Sequence, residues 1–471
     1  FFFAWHYIWS TFLLKQSSSY LPLSIMANPL VLVRYVAAEA SLTLTMSVAG
    51  KLKNMNRAPD EAVGKVLQRL TLQLQGGKKK PASKHDYCPV HGRNSGQGES
   101  GPTAPQPQSP PLVRLETPGG KLVPEDTPNK EAWRDGCILV LGAERLAVAL
   151  NLPSVVSLDL TTIPMAGFEI VPLVALEFSD LDHCHWEWHR APAQTTKSKG
   201  RSPSAVTISA EDTLVSEERT YAPTAGDVGC VLKLVCTPYT ADGRLGTSRV
   251  VQTAVVGAGP TDWPFHERAA LCKEALADCR VVTYNILADC YCDTDWARTN
   301  LYSHCDPQYL KSDYRKQLIV KEVRSYRASI LCMQEVEQRC FDEQLQPQFR
   351  VDGLEGEFCP KATLSSTKNP VGCAVFYAAE QFTLVTADRI DLTDVWRQYP
   401  EVQQLVDEAP AIGRGMEKST TVGQILVLSR KSAPEGPPIV VVNTHLFGHP
   451  RAPNIRVLQT YLLLKEAERL H

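Results

Sequence analysis

Three short apolar runs, each ending in a polar residue able to do chemistry, constrain this chain more than any other feature. Val281–Asp289 reads Val-Val-Thr-Tyr-Asn-Ile-Leu-Ala-Asp, a β-branched and aromatic stretch. It predicts a buried strand that delivers Asn285 and Asp289 to its rim. Ser329–Val336 reads Ser-Ile-Leu-Cys-Met-Gln-Glu-Val and carries Glu335 at its far end. Ile439–His445 repeats the design with Asn443, Thr444 and His445. Gly372–Tyr377 and Gln424–Leu428 read as further strands between them. Leu310, Tyr314, Leu318 and Val323 recur at helical spacing, as do Ile455, Leu458 and Leu462. Strands alternating with helices predict a layered α/β architecture. An amide, a carboxylate and an imidazole on one rim suit a hard cation and a phosphate. Magnesium takes oxygen ligands and keeps several waters, so one carboxylate plus a substrate phosphate serves it. Taken singly, Asn285, Glu335 and His445 also read as polar strand caps, and Asp289 as a turn former.

The chain ahead of these runs divides by composition. Residues 1–29 form a leader or a misassigned extension, since the first residue is Phe1 and Met26 is a plausible start. Residues 30–75 predict a strand and a helix. Ser41–Val48 alternates with Leu42, Leu44, Met46 and Val48 inward, and Val63, Val66, Leu67, Leu70 and Leu74 mark one helical face. Between Lys51 and Lys80 eight Lys or Arg stand against two acids. That run reads either as a phosphate-binding patch or as a solvated face. Residues 76–112, rich in Gly, Pro, Ser and Gln, read as a disordered linker. Their His85, Cys88 and His91 lack a fourth ligand for structural zinc. Residues 113–260 read as a β-rich, sandwich-like domain. Within it, His183, Cys184, His185 and His189 imitate a metal cluster but interleave with Trp186 and Trp188, as packed strand residues do. Residues 261–277 form a hinge, and the α/β part occupies 278–471.

Overall charge does not announce a nucleic-acid binder, because the net charge is −2. The 14 cysteines show no framework spacing, and Cys332 and Cys373 lie inside apolar runs, which fits a reducing compartment. No apolar run reaches transmembrane length, so no membrane partner is expected. The first acid is Glu39, and the acid-poor, Ser-containing stretch before it is compatible with a mitochondrial transit peptide. The mitochondrial matrix is therefore the expected location, with the cytoplasm as the alternative.

The three motifs, in this order, resemble the exonuclease–endonuclease–phosphatase superfamily, with its asparagine, Gln-Glu-Val and Asn-Thr-His strands. Leu301-Tyr302, Cys305, Pro307, Asp313-Tyr314-Arg315 and Gly353-Leu354-Glu355-Gly356 narrow the likeness to its 2′,5′-phosphodiesterase branch, a relative of the poly(A) deadenylases. Met165-Ala166-Gly167-Phe168 and the stretch from Tyr221 to Gly229 resemble that branch's N-terminal domain. The resemblance implies an α/β two-sheet sandwich, incomplete at its C-terminus, behind the β-rich domain. It implies magnesium (Mg²⁺) on Glu335, Asn285 orienting the metal or the attacking water, His445 at the scissile phosphate, and Asn443 contacting substrate. The implied function is a magnesium-dependent 3′→5′ exoribonuclease cleaving 2′,5′-linked oligoadenylates and poly(A) RNA, with no obligatory protein partner. Its Gly-Asp-x-Asn and Ser-Asp-His motifs are not found in these 471 residues, so the chain as printed is expected to be inactive and poorly stable. Ala378 and the Phe447-Gly448 pair depart from the family pattern and imply a shifted substrate preference. A non-catalytic RNA-binding form, or another phosphoesterase of the superfamily, is the alternative.

Overall fold

A computed structural model describes residues 30–76, 112–193, 206–260, 265–272, 279–361 and 369–470. The chain divides into two compact units. One consists of residues up to Val155 with Leu176–Cys184 and Thr237–Ser248, and the other of Val156–Ala175, His185–Cys236 and Arg249 onward.

The first unit is built on six strands, β1 (Leu30–Arg34), β2 (Leu42–Val48), β3 (Lys51–Arg57), β4 (Val113–Glu116), β5 (Ile138–Leu141) and β6 (Glu144–Leu150), in the order β3-β2-β1-β6-β5-β4. Alternation in β2 buries Leu42, Leu44, Met46 and Val48. Val31, Val33, Leu139 and Leu146 join them, and helix α1 (Gly64–Gly76) covers the face with Val66, Leu67 and Leu70. β1 runs parallel to β6, with Leu30 opposite Ala147. The stretches read from sequence as separate segments, 30–75 and the start of 113–260, therefore share one sheet. β3 lies at its edge and exposes Lys51, while Lys65 and Arg69 of the basic run lie on α1 and Lys78, Lys79 and Lys80 lie outside the described residues. The zinc-like His85, Cys88 and His91 lie outside the described residues, as do residues 1–29.

β7 (Ser154–Asp159) and β8 (Leu173–Glu177) form a two-stranded ribbon. β9 (Cys184–Pro192), β10 (Thr213–Ser216), β11 (Cys230–Pro238) and β12 (Arg249–Val255) form a sheet in the order β10-β9-β11-β12, with the β9–β10 and β11–β12 pairs antiparallel. Trp186 and Trp188 face inward from β9, and the Trp188 indole donates to the Glu218 carbonyl at 3.0 Å. His183 pairs with Asp180 at 2.7 Å and His189 with Glu187 at 2.9 Å. Among the described residues no group of three or more His, Cys, Asp or Glu is arranged to hold a metal.

The rest of the second unit is a two-sheet α/β sandwich. β13 (Val281–Asn285), β14 (Ile330–Glu337), β15 (Leu354–Pro360) and β16 (Val371–Ala378) lie in the order β13-β14-β16-β15, with only the β13–β14 pair parallel. β17 (Phe382–Asp391), β18 (Val422–Arg430) and β19 (Ile439–Thr444) form the facing antiparallel sheet. Leu331, Met333, Ala374 and Phe376 of the first meet Leu426, Leu428 and Val441 of the second in one core. Helix α2 (Ser312–Ser325) closes the first sheet with Val320 and Val323. Helix α3 (Pro453–Leu470), with the helices Pro400–Glu408 and Pro410–Lys418, closes the second. Gly423 makes that closure possible, since a Cβ there would lie 1.9 Å from Leu463 Cδ2.

β13 differs from the buried strand expected of it. It is the edge strand of its sheet among the described residues, and Val281 is 63% exposed. No described helix is long and apolar enough to cross a membrane, and every described cysteine is a free thiol.

Candidate active site

The pairing of β14 with β16 slips between Gln334 and Val336, which leaves Glu335 on a β-bulge with φ of 59°. Bulges re-aim a side chain. Holding a residue other than glycine in the left-handed region costs roughly 1–3 kcal/mol and recurs at functional positions. The bulge turns the Glu335 carboxylate toward the end of β13. There Asn285 Nδ2 donates to Oε1 at 2.9 Å and the Ala288 backbone N–H donates to Oε2 at 3.1 Å. Asn285 Oδ1 in turn accepts the Leu287 N–H at 2.8 Å, which curls the chain so that Ala288 points back. Leu287 itself has φ of 56°. His445, one residue past β19, brings Nε2 to 3.7 Å from Glu335 Oε1. Asn285, Glu335 and His445, expected from sequence on three separate strands, thus meet.

The electrostatics of this rim are unusual. Glu335 is buried at 8% exposure, and among the described residues no Lys or Arg pairs with it. A buried carboxylate without a cationic partner is costly and is normally relieved by pairing or by a metal. Each Glu335 oxygen accepts one hydrogen bond and retains lone-pair capacity. The donor set fits a magnesium ion held by one carboxylate. Burial and the Lys361 charge push the His445 imidazole below its ordinary value, with Glu335 opposing them, so the ring is neutral near pH 7. Its Nδ1 is buried without a partner among the described residues.

Asn443 lies elsewhere. It is 2% exposed and faces the opposite sheet, donating from Nδ2 to the Met333 and Ala374 carbonyls at 3.0 Å each. Its Oδ1 accepts from Gln334 Nε2 at 2.9 Å. With its amide engaged on both sides, it ties sheet to sheet and sets where His445 emerges. The substrate contact expected of it is corrected to this structural one.

Asp289 is more than a turn former. It accepts from Lys316 Nζ at 2.6 Å and lies 3.3 Å from Arg315 Nη1. Glu337 sits beside it, 8% exposed, and burial together with the Asp289 charge pushes its carboxyl above the usual range. Reading the sequence did not assign roles to Arg315, Lys316 or Glu337. The signals were the Asp-Tyr-Arg segment and the second acid of Glu-Val-Glu.

The bulge yields a stability prediction. Glu335→Gly and Glu335→Ala remove the same carboxylate, but only glycine accepts a positive φ without a Cβ penalty. The glycine variant should be more stable than the alanine variant by about 1 kcal/mol, read as a difference in urea midpoint. Equal midpoints would mean that the bulge relaxes.

Residues 152–257 match the family model described as "2′,5′-phosphodiesterase 12-like, N-terminal domain". Human 2′,5′-phosphodiesterase 12 is 35% identical over 448 residues, which is 92% of this chain and 72% of that protein. The CCR4-Not complex 3′-5′-exoribonuclease subunit Ccr4 of Saccharomyces cerevisiae is 31% identical over 195 residues, 40% of this chain and 22% of that protein. Among solved structures, ANGEL2, a 2′,3′-cyclic phosphatase, aligns over 40% of this chain and 47% of its own at 26% identity, with a TM-score of 0.32.

Proposed function

Because this chain belongs to the 2′,5′-phosphodiesterase 12 family, and by family is a hydrolase of the phosphodiesterase and exoribonuclease kind, we propose that its substrates are 2′,5′-linked oligoadenylates and the poly(A) ends of RNA, cut with magnesium. The observation that carries this reading is Glu335, a buried carboxylate with no lysine or arginine partner among the described residues, hydrogen-bonded by Asn285 and faced by His445.

A magnesium ion there would be held by Glu335 and would supply charge to the phosphate and acidify bound water. The protein's own groups do the rest. Asn285 and the Ala288 N–H fix the carboxylate's orientation. His445, neutral and with Nε2 on the same rim, is placed to donate to a phosphate oxygen. Removing a single donor of that kind typically costs about 10²–10³ in rate. One carboxylate and one imidazole do not also position and deprotonate water. Turnover therefore calls on the Gly-Asp-x-Asn and Ser-Asp-His groups, which these 471 residues do not contain. The exposed Lys51 and its basic neighbours are read as phosphate contacts that position RNA without choosing the bond. The acid-poor stretch before Glu39 supports a mitochondrial matrix location.

The test compares the 471-residue chain with one extended through both motifs, on 2′,5′-triadenylate with Mg²⁺ or EDTA. The extended chain should cleave only with Mg²⁺ and the shorter one not at all. Cleavage that survives EDTA would contradict the metal assignment. Binding of RNA by the extended chain without any cleavage would favour the non-catalytic reading.

A further inference from the structure

Every contact that orients Glu335 from the β13 side comes from Asn285 and from the loop that follows it, residues 286–288. Leu287 in that loop is held in a strained left-handed conformation, so something must keep the loop from relaxing. Four hydrogen bonds from one side chain reach this loop and the turn that follows it. Arg315, on α2, donates from Nη2 to the Ile286 carbonyl at 2.7 Å and to the Leu287 carbonyl at 3.0 Å. From Nη1 it donates to Asp289 Oδ1 at 3.3 Å and to Cys292 Sγ at 3.0 Å. Its side chain is 15% exposed. Lys316, next in sequence, takes the other Asp289 oxygen at 2.6 Å.

We propose that Arg315 is a positioning residue that latches the 286–289 loop and thereby presents the Ala288 N–H to Glu335. Its hydrogen bonds go to the loop carbonyls, Asp289 and Cys292, and none goes to the Glu335 carboxylate. Its effect passes through two carbonyls to the next amide along the chain. The planar guanidinium fork reaches two backbone oxygens on one side while pairing with Asp289 on the other. A lysine ammonium carries the same charge but does not reproduce that geometry. Lys316 is the counterpoint, because it binds Asp289 yet, among the described residues, makes no hydrogen bond to the loop carbonyls, so charge and geometry separate between neighbouring residues. The proposal rests on Glu335 being the metal carboxylate, but its failure is distinguishable from a failure of that reading.

The test is Arg315→Lys in the 471-residue chain, read by site-resolved amide exchange and by Mn²⁺ titration. Exchange at Leu287 and Ala288 should rise by about tenfold or more while the β16 amides keep their protection. Mn²⁺ affinity should fall by roughly 10–100-fold, the usual scale for losing a group that orients a ligand. In a chain extended through the two missing motifs, kcat should fall with KM retained. Lys316→Met, which leaves the carbonyl contacts in place, should change neither the Ala288 exchange nor the affinity. If Arg315→Lys does not fold, Asp289→Leu decides, with Asp289→Asn as its control. Both lose the charge, but only leucine removes the oxygen that accepts from Arg315 Nη1, and the proposal requires faster Leu287 and Ala288 exchange and weaker Mn²⁺ binding in Asp289→Leu than in Asp289→Asn. Wild-type exchange and affinity in the folded variant would overturn the latch. Undiminished Mn²⁺ affinity in Glu335→Ala would instead overturn the metal assignment beneath it.

Discussion

Replacing Glu335 with alanine should lower oligoadenylate cleavage by on the order of 10³-fold or more, measured as kcat/KM in a chain that carries the two additional motifs. The reason is the imbalance around this carboxylate. It is buried, it sits on a strained bulge, it accepts from Asn285 and Ala288, and no lysine or arginine among the described residues neutralises it. A cation at Glu335 would relieve that imbalance, and its loss with the carboxylate is what the variant tests. Glu335→Gln should be equally inactive, because an amide keeps the shape but lacks the charge a hard cation needs. Both variants should fold. Retained turnover by a folded Glu335→Ala protein would assign the metal to another residue.

The second large effect is on stability. Asn443 satisfies the Met333 and Ala374 carbonyls and the Gln334 amide at 2% exposure, in the core between the two sheets. Asn443→Ala removes three hydrogen bonds between the sheets and opens a polar void, at a cost of about 2–4 kcal/mol. Asn443→Asp is worse at neutral pH, since it sets a buried carboxylate against two carbonyl oxygens. That variant should regain stability as pH falls and the carboxyl takes up a proton. Urea denaturation at two pH values measures both effects. If Asn443 bound substrate instead, Asn443→Ala would leave the denaturation midpoint untouched and raise KM.

The gathering of Asn285, Glu335 and His445 was legible in the sequence because each ends an apolar run whose neighbours had no other use for a polar group. Asn443 was misread for the same reason. Two residues before His445, it looked like part of the polar end, whereas strand alternation turns it into the inter-sheet core beside Val441. The β17 strand was missed because Phe382–Asp391 mixes Thr, Asp and Arg with few inward residues and keeps one face open. The union of β1 with β6 was also out of reach. A parallel pairing between Leu30 and Ala147 leaves no local pattern, since register across such a separation is set by the whole sheet. Arg315 belongs to the same class, because its role lies in backbone carbonyls brought near by folding.

Whether a divalent cation sits on Glu335 is best measured by titrating the isotope-labelled chain with Mn²⁺ and following paramagnetic broadening. The side-chain amide of Asn285 and the ring of His445 should broaden first and together, and Glu335→Ala should abolish that selectivity. Broadening that spares both, or that persists unchanged in Glu335→Ala, would place the cation elsewhere and contradict the site described here.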